Sequence, residues 1–172
     1  MTTPSRKTTK PTNPTKSQEA TALLRSDHQR VSELFAEFAK TRSAAKKMTL
    51  VTQICTELSV HAQIEEEIFY PAVKKALNDK LLVPEATIEH ATLKSLIAQV
   101  KGVAPDGEMY DARIKVLFEY VKHHVKEEQE QMFPKARETK LDMVELGAQL
   151  AARKEELLAQ RSEHNPKEGA FV

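Results

Sequence analysis

Tryptophan is absent from this 172-residue chain, cysteine occurs once, glycine four times, and aromatic residues make up only 5% of it. With Cys55 alone, an intramolecular disulfide is impossible and a zinc finger built on cysteines is excluded, which suits a reducing compartment. So few glycines, beside 30% charged residues, favour helices over a turn-rich sheet. No apolar run approaches the roughly 18 residues that a membrane helix needs, and the N-terminus lacks the apolar stretch of a signal peptide. A net charge of +1 gives no general attraction to nucleic acid or anionic lipid. The expectation is a cytoplasmic protein with no membrane and no specific nucleic-acid partner.

What remains organises into three parts. Residues 1–18 hold three prolines, many threonines and Arg6, Lys7, Lys10 and Lys16, and cannot bury enough apolar area to offset their ordering entropy, so a disordered basic tail is expected. Residues 19–137 carry four stretches of helical period. The first runs through Leu24, His28, Val31, Phe35 and Phe38; the second through Val51, Ile54, Leu58, His61, Glu65, Ile68 and Ala72. The third holds Ala86, His90, Leu93, Ile97 and Val100, ending at Gly102 before the loop at Pro105, Asp106 and Gly107; the fourth holds Ile114, Leu117, Val121, His124, Glu128, Met132 and Lys135. Within residues 138–172, Asp142 and Glu145 mark the start of a fifth helix that frays after Gln160. The fold class expected is all-α: an up-down-up-down four-helix bundle with an extra C-terminal helix on an end or flank.

Six polar residues interrupt the apolar stripes: His28, His61, Glu65, His90, His124 and Glu128. Burying them singly costs several kcal/mol each, so they must satisfy one another or a cation. The stretches HAQIEEEIFYP at 61–71 and HVKEEQEQMFP at 124–134 both place Glu four residues and Pro ten residues after His. Residues four apart share a helix face. His28 and His61 also lie at matched heights along their helices, as do His90 and His124, by the rise of ~1.5 Å per residue. One HxxxE alone is a common accident; two, each with a histidine on the preceding helix, describe paired half-sites for two metal ions with Glu65 and Glu128 in equal bridging roles.

Other candidates have ordinary readings. His123 is rotated about 100° from His124; Glu66, Glu67 and Glu127 read as solvated charges, with Glu66 and Glu127 near enough to approach a metal. His164 falls in the tail, Phe69 and Phe133 read as core, Pro71 and Pro134 as disturbances of the last helical turns, and Cys55 as an inert buried thiol. Tyr120, one turn before His124, has two readings: a hydroxyl that reaches the site, or packing at the bundle's edge.

The order His28, HAQIE at 61–65, EHATL at 89–93 and HVKEE at 124–128, over residues 19 to 137, resembles the hemerythrin-like HHE cation-binding domain. The resemblance implies a non-haem di-iron centre: two iron ions ligated by His28, His61, His90 and His124 and bridged by Glu65, Glu128 and a solvent oxygen. Oxygen-carrying hemerythrins add a second His one turn along the third helix. Here position 94 is Lys94 and position 86 is Ala86, which implies an open coordination position. The function expected is binding, sensing or scavenging of dioxygen, nitric oxide or peroxide. The alternatives are a di-iron enzyme that consumes peroxide or acts as a small oxidase, and iron storage or handling. A sensor would need a separate protein partner for its output.

Overall fold

A computed structural model describes residues 18–105 and 107–164. The basic tail at 1–17, Asp106 and the end at 165–172 lie outside the described residues. All regular structure among the described residues is helical. Helix α1 spans Ala20–Lys40 and α2 spans Ala44–Ile64; a π-helical turn at Glu65–Phe69 leads directly into α3, Tyr70–Ala76. After a short connection come α4, Leu82–Val100, and α5, Glu108–Glu127; a second π turn at Glu128–Met132 leads into α6, Phe133–Arg137, and α7 spans Met143–His164. The two continuous rods α2–α3 and α5–α6 complete a bundle with α1 and α4, and α7 lies on the flank against α1, α2 and the first π turn. No helix among the described residues is long and apolar enough to cross a membrane.

Local chemistry explains the helix ends. The Ser43 side chain accepts from Lys46 N at the start of α2, and Asp79 accepts from Leu81 N and Leu82 N ahead of α4. The expected start of α7 is present, with Asp142 Oδ1 accepting from Val144 N at 3.0 Å and Glu145 N at 2.9 Å. The helix then continues four residues beyond Gln160, with Leu157 buried beneath it. Gly147 lets α7 cross the entry to α1: a Cβ there would lie 2.1 Å from the Gln18 carbonyl oxygen and 2.9 Å from Ala20 N.

The π turns correct the inner face that α-helical counting predicts. Each inserts one extra residue into a turn, so the buried face moves forward by a position. In α6 the inward residue is Ala136, whereas Lys135 is exposed and pairs with Asp79 at 3.0 Å. In the first half Phe69, Tyr70 and Val73 are buried, while Ile68 and Ala72 are only partly so. Pro71 and Pro134 are the second residues of α3 and α6, within the first turn, where a missing N–H costs little and the widened turn accommodates the ring.

Apolar side chains form two clusters. One gathers Leu24, Val60, Ile64, Phe69, Phe133 and Leu150; the other gathers Val31, Phe35, Ile54, Leu93, Ile97 and Leu117. Along every rod the chain passes from one cluster to the other through the polar positions 28, 61–65, 90 and 124–128. The bundle therefore holds a single polar layer between two apolar plugs, which keep bulk water from its ends.

Candidate metal centre

All six polar residues on the stripes are buried in that layer, Glu65 completely and His90 and Glu128 to within 1%. The rings of His28 and His61 lie 4.7 Å apart, with Nε2 facing Nε2 at 3.0 Å. His90 and His124 repeat the arrangement, again 4.7 Å between rings and 3.0 Å between Nε2 atoms. Glu65 spans the pairs, with Oε1 3.2 Å from His61 and Oε2 3.4 Å from His90. Glu128 spans them in the other direction, its Oε2 lying 3.2 Å from His28 and 3.7 Å from His124. Each carboxylate thus reaches the imidazole one turn back on its own rod and one imidazole of the opposite half.

Behind every imidazole stands a polar partner on Nδ1. His61 donates to Asp27 at 3.3 Å, His90 to Glu66 at 3.0 Å and His124 to Glu89 at 2.6 Å; the Gln129 side-chain amide lies 3.0 Å from His28 Nδ1. These partners repeat like the ligands: an acid precedes His28 and His90, and Glu66 and Gln129 follow Glu65 and Glu128. Sequence reasoning passed over Asp27, Glu89 and Gln129, and read Glu66 as a solvated charge near enough to approach a metal. The adjacent-residue repeat was the available signal. With protons on Nδ1, His61, His90 and His124 present Nε2 lone pairs to the interior, and His28 joins them once the Gln129 amide turns its oxygen to Nδ1.

This arrangement fits a cation. Two Nε2 lone pairs at 3.0 Å repel unless a proton or metal lies between them. Both Glu65 oxygens and Glu128 Oε2 are buried with no hydrogen-bond partner among the described residues, and such oxygens are expensive to leave unsatisfied. Without a metal, protons take up the charge. Burial opposes protonation of His61, but Glu65, Asp27 and Glu128 overcome it and push the group up to about 10. Burial likewise opposes a charged His124, and Glu128, Glu89 and Glu65 raise it. Burial disfavours the Glu65 carboxylate, yet His61 and His90 hold it well below the usual carboxylate range. Imidazole nitrogen with shared carboxylate oxygen suits iron, manganese or zinc.

The pseudo-symmetry breaks at one position. Tyr70, five residues after Glu65, donates its hydroxyl to Glu128 Oε1 at 2.8 Å and lies 3.0 Å from His90 Nε2. Burial first, then the fields of Glu128 and Glu65, raise its hydroxyl well above the ordinary tyrosine range, so it stays protonated. The equivalent residue five after Glu128 is Phe133, which stacks parallel on His28 at 5.9 Å. Of the two readings of Tyr120 the packing one holds: it is only partly buried and lies against the far cluster. The π turn brings position 70 inward instead.

Lys94 does not point at the imidazoles: its ammonium pairs with both Glu66 oxygens at 2.6–2.7 Å and is about half exposed. A cavity of about 20 Å³, lined by the four histidines with Leu58, Leu93, Ile97 and Val121, adjoins the cluster. It is large enough for one small molecule of a few atoms. Helix α7 reaches the same layer through Lys154, which pairs with Asp27, and Arg153, which pairs with Glu67 at 2.7 Å. Cys55 is buried away from this layer, its thiol pushed up by burial to about 11.

A family model described as the hemerythrin HHE cation binding domain matches residues 19–136. A DNA nickase of Nostoc sp. (strain PCC 7120) is 30% identical over 111 residues, which is 64% of this chain and 31% of the nickase. The chain thus spans about a third of the length of that curated relative. In fold, the chain resembles the crystal structure of a hemerythrin HHE cation binding domain-containing protein from Mycobacterium kansasii, with a TM-score of 0.74 over 88% of this chain and 94% of that one, at 22% identity.

Proposed function

The chain belongs to the hemerythrin HHE cation-binding family, and on that premise we propose that it is a non-haem di-iron protein that binds and scavenges a small ligand: dioxygen, nitric oxide or peroxide. The observation that carries this reading is the set of four inward Nε2 atoms and three orphaned carboxylate oxygens beside a cavity of about 20 Å³. His28, His61, His90 and His124 would hold the metal with Glu65 and Glu128 shared between the ions. Iron bound there would supply the redox electrons that such ligands need.

The protein's own residues do the rest. Asp27, Glu66, Glu89 and Gln129 fix the imidazole orientations, which typically governs metal affinity by about 10–100-fold. Leu58, Leu93, Ile97 and Val121 make one wall of the cavity apolar, and its size restricts it to ligands of a few atoms. The Tyr70 hydroxyl, held protonated, supplies a hydrogen-bond donor within the layer. A donor of that kind favours peroxide consumption over reversible oxygen carriage, so the enzymatic reading stands second to binding.

DNA nicking, named for the longer Nostoc relative, is not favoured. A phosphodiester has no route into a buried layer whose cavity is about 20 Å³. The test is the absorption spectrum of the iron-loaded protein before and after hydrogen peroxide, with oxygen evolution and peroxide loss followed together. A changed spectrum with sustained turnover assigns an enzyme, a stable adduct assigns a binder, and an unchanged spectrum overturns both.

A further inference from the structure

Outside the buried layer, a second group of metal-binding side chains meets on the surface between α4 and α5. Glu89 is buried and already gives Oε2 to His124 Nδ1. Its other oxygen, Oε1, points outward to His123 Nε2 at 3.4 Å, and Glu127 Oε1 lies 3.6 Å from the same nitrogen. The potential ligand atoms of the three residues lie within 4.8 Å of one another.

These separations are too long for good hydrogen bonds, which close to roughly 2.7–3.2 Å. They match the edge of a tetrahedron about a divalent ion with bonds of about 2.1 Å, which is ~3.4 Å. They also fall within the 3.2–3.7 Å range of the imidazole–carboxylate spacings in the inner cluster. Charge supports the same reading. Asp27, Glu66 and Glu67 each have a Lys or Arg partner, whereas among the described residues Glu89 and Glu127 form ion pairs only with histidines and lie against each other, two carboxylates that need a shared proton or a cation between them. Glu85, one turn before Glu89 on α4, adds further negative charge.

We propose that Glu89, His123 and Glu127 form an outer binding site for a divalent transition-metal ion, linked to the inner cluster by the two oxygens of Glu89. One imidazole and two carboxylates leave coordination positions for water, so the site exchanges its ion readily. Glu89 then answers to both sites, since an ion on Oε1 draws on the carboxylate that orients His124. A surface ion one carboxylate away from a buried ligand is a natural waiting place for metal on its way in.

The test is cobalt(II) uptake by the iron-loaded protein under argon. Bound cobalt and iron are counted after gel filtration, and affinity is followed by the visible absorption of cobalt. The wild type should take up about one more cobalt per chain than His123→Ala, and Glu127→Gln should weaken that ion about tenfold or more. Iron content and helical circular dichroism should be unchanged in both, since His123 is more than half exposed. The difference between wild type and variant counts only the outer ion, whatever the inner layer holds, so its failure is separate from failure of the di-iron reading. Equal cobalt uptake and affinity in wild type and His123→Ala would overturn the outer site.

Discussion

The Tyr70 hydroxyl donates to Glu128 Oε1 at 2.8 Å, so the residue that follows the π turn of one half-bundle holds the shared carboxylate of the other. Phe133 cannot return the favour to Glu65. The two carboxylates, equivalent in the sequence pattern, are therefore unequal in the structure: Glu65 has both oxygens free for metal, and Glu128 has one.

Tyr70→Phe makes the halves alike. It should retain both metal ions, because the ligands are untouched, while peroxide consumption falls by roughly a hundredfold through loss of a preorganised hydrogen-bond donor. Leaving Glu128 Oε1 without its donor should also lower stability by about 1–3 kcal/mol. Peroxide kinetics beside a urea midpoint separate the two effects. Unchanged kinetics would remove Tyr70 from the chemistry.

Asp27→Asn tests the partners behind the imidazoles. Asp27 joins His61 to Lys154 of α7, and those contacts outweigh burial to keep its carboxyl below the usual range. The amide variant should weaken iron binding about 10–100-fold in chelator competition. It should also loosen α7, seen as faster amide exchange in that helix alone.

Gly147→Ala would put a methyl group 2.1 Å from the Gln18 carbonyl oxygen, so α7 or the entry to α1 must move. A loss of about 1–3 kcal/mol is expected in urea unfolding, with iron content retained, since the ligands lie on other helices.

Protons and metal compete for the inner layer. His61 is raised to about 10 without metal. Its contribution to the stability of the metal-free protein is therefore fully present below the ordinary histidine value near 6.5 and lost as pH rises toward 10. Urea midpoints of the metal-free protein should fall across that window. Iron displaces the proton, so the loaded protein should lack this slope, and iron affinity should increase with pH.

The six inward residues were legible because burial of charge is costly and the chain writes the same solution twice. Glu66, Asp27, Glu89 and Gln129 were harder to read, since an acid beside a ligand looks like any charge on a helix until the partner helix is placed against it. Lys135 was placed on the inner face and Tyr70 was passed over for one shared reason. The π turns shift the inner face by a residue, and only the prolines at 71 and 134 hinted that the period would break.

The most direct test is the metal content of anaerobically purified protein, measured together with its thermal unfolding before and after chelation. About two iron ions per chain are expected, with a marked fall in the unfolding temperature on their removal and loss of both ions together in His61→Ala and in Glu65→Ala. A protein that carries no metal, unfolds at the same temperature with and without chelator, and is indifferent to both substitutions would contradict the account.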